Sequence, residues 1–305
     1  MERLFGKDGG VEAMTESCIG SFFLDSGAHS LYTKRVIQVN GGRRGRGDYS
    51  FYETDEFWSY VDSYSEFVQK NREIIDLFVN VDVIFNPELT WKAQKYLEKK
   101  CGMVPVPVVH YGTSLRWLKR YLKEGHTLIG LGGLGQEVSS RSYYAWADRV
   151  FSYLCPPPQR LPVVRLHGFA MTAFPLMMRY PWWSVDSATW VKTGGWGGIF
   201  VPKRRKGKWD FSIPSYKVTV SEKNPSKKER GQHFFSFSSV EKRMVLDWLE
   251  YIGIECRNEE DVRGVFNHHT ARKAANLHYF QLFCDSLPEW PWPFRLGFST
   301  KGLLL

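Results

Sequence analysis

Cysteine is scarce and scattered in this sequence. Its five copies, Cys18, Cys101, Cys155, Cys256 and Cys284, stand far apart. No C-x-x-C or C-x-C spacing occurs, which excludes a zinc ribbon or finger built on paired thiolates. Dispersed thiols in odd number fit a reducing compartment better than a disulfide framework. No apolar run approaches the roughly 20 residues of a membrane span, and the start shows no basic-then-apolar leader pattern. A cytoplasmic protein without a membrane partner is expected, in the host cytoplasm for a phage-encoded chain. No internal repeat is seen.

What is present is a globular composition. The 305 residues, 43% hydrophobic and 24% charged, suffice for one large barrel or two modest domains. Aromatics reach 16%, with twelve Trp. Most belong in a core, and a few can offer flat faces on which bases stack. The formal net charge is +9, and it is clustered. Pro202 to Arg230 holds ten Lys or Arg against three Asp or Glu, and Gly41 to Gly47 adds Arg43, Arg44 and Arg46. Basic charge beside glycine suits a phosphate backbone, because bound Lys and Arg release condensed counterions. The bland alternative is a solvated loop.

The hydrophobic pattern sets the fold expectation. After an arm at 1–16, Ile19 to Leu24 reads as a buried strand ending in the polar turn Asp25 to Ser30. Asp55 to Asp76 has helical spacing. Strands and helices then alternate. Strands are expected over Leu77–Phe85, Val104–His110, Thr127–Leu131, Leu161–Leu166 and Trp183–Val185. The helices between them run over about Glu88–Lys100, Ser114–Lys123, Ser140–Tyr153 and Ala173–Tyr180. This alternation indicates a parallel α/β fold. A doubly wound sheet and a (β/α)8 TIM-like barrel both fit. The barrel is favoured, because a polar or glycine motif follows almost every strand, and barrels build their sites at the carboxyl ends of the strands. Residues 203–240 read as a basic extended or hairpin insert. Residues 241–305 read as a helical C-terminal part, with a capping box at Ser238-x-x-Glu241 and further helices over Glu259–His268 and Thr270–Ser286. All of 17–305 is expected to be one domain.

Strand ends deliver Asp25, Asp82, His110, the Gly132–Gly135 turn, His167 and Asp186. Two carboxylates at different strand ends can share a substrate, one as nucleophile and one as proton shuttle. Each residue alone has a bland alternative. Asp25 before Ser-Gly is also a turn former, and Asp82 between apolar residues is also half of a buried ion pair.

The order and spacing of the set resemble the tRNA-guanine transglycosylase superfamily. Leu24-Asp25-Ser26-Gly27-Ala28 is similar to the family's Asp-Ser-Gly-Gly segment, and Gly132-Gly133-Leu134 to its Gly-Gly-Leu turn. Val79-Asn80-Val81-Asp82 falls at its base-recognising Asp, and Val109-His110-Tyr111-Gly112 at its Gln-Gly pair. Leu166-His167-Gly168 resembles its Leu-Met-Gly. Asp186 follows at close to the family's distance to the nucleophilic Asp. Gly195 to Phe200 and Asn276 to Phe280 resemble a later strand and part of the C-terminal helix. The likeness covers about 20–202 and 265–285.

The resemblance implies that Asp186 attacks C1′ of a nucleotide and expels guanine, leaving a covalent glycosyl-enzyme. It implies that Asp25 is the general acid/base, that Asp82 accepts from the purine's amine and ring N–H, and that Gly132, Gly133 and Leu134 meet the base. Ser26 and His110 join that base-binding set. No cofactor and no metal are expected. The tRNA enzymes sandwich the base between an aromatic ring and a Met, where this chain has His29 and His167. They also carry a Cys-x-Cys-x-x-Cys…His zinc module, where this chain reads Phe235-Ser236-Phe237-Ser238-Ser239. The missing module turns the expectation from tRNA to DNA, since the chain resembles most the phage and bacterial deazaguanine DNA transglycosylases. The expected partners are DNA and a free 7-deazaguanine base such as 7-cyano-7-deazaguanine, and a homodimer stays open because the tRNA enzymes are dimers. Arg43, Arg44, Arg46, Lys203, Arg204, Arg205, Lys206 and Lys208 are the expected backbone contacts. The open alternatives are a zinc-less tRNA enzyme, a non-catalytic nucleic-acid-binding barrel, and a glycosidase or nucleoside hydrolase on a small substrate.

Overall fold

The computed structural model describes residues 21–37, 49–132, 140–224, 231–256 and 264–295. The arm at 1–16 lies outside them. The fold is mixed α/β with parallel strands. Among the described residues, no helix is long and apolar enough to cross a membrane. The chain divides into two compact units, one of Met1–Val150 with Val164–His167 and one of Phe151–Val163 with Gly168–Leu305.

The first unit is built of βα repeats. Strand β1 (Phe23–Leu24) leads into helix α1 (Ala28–Tyr32). Helix α2 (Asp55–Lys70) buries Phe57, Val61, Tyr64 and Val68 along one face. Burying such a side chain fully contributes roughly 1.5–3 kcal/mol. The helix stops short of the expected Asp76, where Asn71 turns its side-chain amide onto the Phe67 carbonyl at 2.7 Å. Strand β2 (Leu77–Phe78) and helix α3 (Pro87–Cys101) follow, with Asn86 capping α3 by accepting from the Leu89 N–H. Strand β3 (Val108–His110), helix α4 (Leu115–Lys123), strand β4 (Leu128–Gly132), helix α5 (Ser140–Leu154) and strand β5 (Arg165–Gly168) complete the series. The unit boundary runs through α5 and β5.

These strands lie side by side in chain order. β1 pairs with β2 in parallel, a parallel bridge joins Val79 to Val106, β3 pairs with β4 in parallel, and β5 is the next neighbour of β4. A doubly wound sheet reverses its order at a switch point, and β1 to β5 show none. The sheet also curls. In a flat sheet β1 and β5 would stand four strand spacings apart, about 19 Å. Yet the rings of Phe23 on β1 and His167 on β5 lie 4.8 Å apart, centroid to centroid. Two side chains cannot span 19 Å, so the strands bend toward each other on that face.

The second unit holds helix α6 (Phe174–Arg179), strand β6 (Ser184–Val185), helix α7 (Thr189–Gly195) and strand β7 (Gly198–Val201). Strands β8 (Lys203–Arg205) and β9 (Lys208–Asp210) form an antiparallel hairpin, and β10 (Tyr216–Thr219) pairs antiparallel with β7. Helix α8 (Ser239–Tyr251) opens on the capping box, with Glu241 Oε2 accepting from the Ser238 N–H at 2.8 Å. Helix α9 (His269–Asp285) packs on α7 and β7. Its Asn276 accepts from the Phe200 N–H at 2.9 Å, and Arg272, which is buried, donates to the carbonyls of Gly194 and Val265. The helix expected over Glu259–His268 is not found in its described part. Gly264–His268 is a turn, because the amides of Val265 and Phe266 donate to the carbonyls of Glu255 and Cys256 instead of to their own segment.

Candidate functional site

The polar residues at the strand ends of the first unit are held in two separate arrangements, one around Asp25 to Gly27 and one around Asp82 and His110. Asp25 is exposed just beyond β1, and Ser26 beside it is buried with its hydroxyl unpartnered. Gly27 turns the chain at φ +73°. Tyr60 on α2 donates its hydroxyl to the Ser26 carbonyl at 2.6 Å, and Tyr64 donates to the Val79 carbonyl at 2.8 Å. Burial, and then the Asp25 charge, push both phenol pKa values above the ordinary value, so both stay neutral donors. A Cβ on Gly27 would stand 2.8 Å from the Tyr60 hydroxyl, in a backbone region L residues avoid. Gly27→Ala is therefore expected to cost about 1–3 kcal/mol and to shift the Asp25 turn. The midpoint of a denaturant titration should fall, and an unchanged midpoint would contradict the packing.

Asp82 is set by a different device. The segment after β2 leaves the ladder and is pinned by α3. Asn80, fully buried, donates to the Thr90 carbonyl at 2.9 Å, and the Val83 N–H donates to the Thr90 hydroxyl at 2.9 Å. The strand expected over Leu77–Phe85 is shortened to Leu77–Phe78 for that reason. Asp82 is thereby turned inward, where its Oδ2 lies 2.7 Å from His110 Nε2. Both side chains are nearly enclosed, at 11% and 4% exposure. His110 ends β3 and pairs in register with Gly132 at the end of β4. A Cβ on Gly132 would lie 3.4 Å from the His110 ring, so the glycine leaves the imidazole room to lie against the strand. The buried-pair alternative for Asp82 is thus what its geometry displays. The Asp82 charge also helps burial raise the Tyr52 phenol, which is itself buried with its hydroxyl unpartnered.

His167 is buried against Phe23, while His29 is exposed on α1. Gly133, Leu134, Arg43, Arg44 and Arg46 lie outside the described residues. Phe85 is a residue that sequence reasoning missed. It lies three positions past Asp82, is half exposed, and holds φ +66° inside a turn closed by the Asn86 N–H on the Val83 carbonyl. A bulky side chain at positive φ is a strained conformation. The Asn86-Pro87 helix start directly after it is the only sequence signal of that turn.

In the second unit, Asp186 follows β6 and is exposed. Its Oδ1 accepts from the Ala170 N–H at 2.9 Å. Its own N–H donates to the Gly168 carbonyl, and its carbonyl accepts from the Met171 N–H. Ala170 sits at φ +59° to present that amide. One carboxylate oxygen is thus oriented by backbone, and a strained alanine does the orienting.

The β8–β9 hairpin turns through Lys206 and Gly207, both at positive φ, as a two-residue hairpin loop requires. Arg205, Lys206 and Lys208 are exposed. Lys203 lies over the Tyr216 ring, and Arg204 is committed to Asp247 at 2.8 Å and to the face of Trp209.

Among the described residues, the metal-ligating types gather at Glu98, Glu124 and His126. Lys95 already bridges both carboxylates there, so a cation fills the place. No family model matches the chain, and no curated protein or solved structure matches it.

Proposed function

We propose that the chain is a guanine transglycosylase that exchanges guanine in DNA for a 7-deazaguanine such as 7-cyano-7-deazaguanine, on a (β/α)8 barrel. The curled run of strands in chain order supports the barrel. The observation that carries the function is the set of polar side chains at the carboxyl ends of successive strands, where barrels place their chemistry. In this proposal Asp186 attacks C1′ and guanine leaves with its electron pair, protonated with help from Asp25. The incoming base then loses a proton to Asp25 and displaces Asp186, so atoms balance and no cofactor enters. An Asp186 oxygen held by a backbone amide costs little to reorient during attack. Asp82, His110 and Gly132 serve the purine, with His167 and His29 near its faces. The Asp82–His110 pair already satisfies one carboxylate oxygen, which leaves the other for a base N–H.

The direct test is a covalent adduct. Guanine-containing duplex incubated without incoming base should give a protein–DNA species on a denaturing gel, with the linkage mapped to Asp186. A linkage at Asp25 would move the nucleophile, and a guanine lost without any adduct would indicate hydrolysis. Base exchange in a duplex also needs the nucleotide unstacked and the backbone held. Changing Arg205, Lys206 and Lys208 to Gln together is expected to lower the slope of log K against log salt by up to about 3 units. An unchanged slope would make the hairpin a solvated loop.

A further inference from the structure

Helices α3 and α4 carry a second concentration of positive charge that a count along the chain does not show. On α3, Lys92, Lys95 and Lys99 recur at three- and four-residue steps, opposite the buried face of Thr90, Ala93, Gln94 and Leu97. On α4, Arg116, Lys119, Arg120 and Lys123 do the same, opposite Trp117, Leu118 and Tyr121. The two helices are packed neighbours. Trp91 of α3 contacts the rings of Trp117 and Tyr121, and Arg116 pairs with Glu88 at 2.8 Å. Seven cations therefore share one outward surface with three acids, and each acid already has a basic partner. Glu88 is taken by Arg116, while Glu98 and Glu124 are taken by Lys95. Lys92, Lys99, Lys119, Arg120 and Lys123 are all exposed on that surface. Arg120 is also fixed in place, its guanidinium 3.6 Å from the centre of the Trp91 ring. An ordered cation loses less side-chain entropy on binding than a mobile one.

We propose that this α3–α4 face is a second docking surface for the phosphate backbone of nucleic acid, separate from the β8–β9 hairpin. A basic amphipathic helix also suits an anionic membrane surface. Insertion of such a helix into the membrane interface needs its apolar face, and that face of α4 is sealed in the core, with Trp117 at 7%, Leu118 at 0% and Tyr121 at 1% exposure. Only the charged side is on offer, and charged side chains without apolar insertion match phosphates along a polyanion. The inference shares the nucleic-acid partner of the proposed function and does not need base exchange.

The test uses full-length protein with Lys92, Lys99, Lys119 and Lys123 all changed to Gln, beside a Lys→Arg set at the same positions. Duplex DNA binding is measured from 50 to 300 mM salt. The Gln variant should bind at least tenfold more weakly at 100 mM salt, with the slope of log K against log salt lower by about 2 units or more. The Arg variant should keep both. A Gln variant whose thermal midpoint and DNA slope both match wild type would overturn the proposal. So would an unchanged DNA slope joined to lost binding of vesicles rich in phosphatidylserine, which would make the face a membrane contact. Exchange of base with an unmoved slope removes this surface only, while salt-dependent binding without exchange removes the enzymatic function and keeps the surface.

Discussion

Asp186→Ala is expected to lower base exchange by about 10⁴-fold or more while the protein stays folded. Loss of a nucleophile in a double-displacement enzyme removes the route itself, and such losses reach that size. The structural cost is small by comparison. Asp186 is exposed, and its hydrogen bond from the Ala170 N–H is worth roughly 0.5–1.5 kcal/mol. Rate and fold should therefore separate. Single-turnover exchange and a thermal melt on the same preparation read the two effects. An active Asp186→Ala protein would remove the nucleophile assignment, and an unfolded one would make the contact of Asp186 with Ala170 a structural one. Asp186→Asn adds a control, since its amide oxygen can still accept from Ala170 and it should be equally inactive.

His110→Ala should produce the largest loss of stability. It leaves Asp82, 9% exposed, as a buried carboxylate without the partner now 2.7 Å away. Breaking one half of a buried pair typically costs about 3–5 kcal/mol. For a chain of this size that corresponds to a fall in Tm on the order of 10 °C. Replacing both residues by apolar ones should be milder than the sum of the single changes, because no charge is then stranded. Asp82→Asn separates the two roles of the carboxylate. The pair geometry survives with a neutral partner, while an acceptor for a purine N–H is exchanged for an amide. Exchange should fall through a raised KM for the base, with a Tm loss smaller than that of His110→Ala. A His110→Ala protein that melts with wild type would show that the pair does not form in solution.

Helices were legible in the sequence because their ends are chemically marked. Asn86-Pro87, Ser114 and Ser238 with Glu241 open α3, α4 and α8 where caps predict. Strand positions were legible, and strand lengths were not. Thr90 and Asn80 draw the backbone after β2 out of its ladder through side-chain hydrogen bonds that no periodicity reports. The helix expected over Glu259–His268 had the right pattern, yet the amides of Val265 and Phe266 pair outside their own segment. Candidate site residues could be named from strand ends, but the contact between Asp82 and His110 joins positions 28 apart in sequence and needed the fold. The strain at Phe85 and Ala170 left no trace in composition, since neither residue type favours positive φ. The α3–α4 cations stayed hidden because the charge was counted along the chain, where acids on the same helices dilute it, and not around the helix axes.

The most direct measurement offers labelled 7-cyano-7-deazaguanine to the purified protein with duplex DNA and with tRNA in parallel, and with Asp186→Ala as control. Label entering DNA, absent from tRNA and lost in Asp186→Ala, is the expected result. Label entering tRNA alone would keep the chemistry and contradict the substrate, and label in neither would contradict base exchange by this chain.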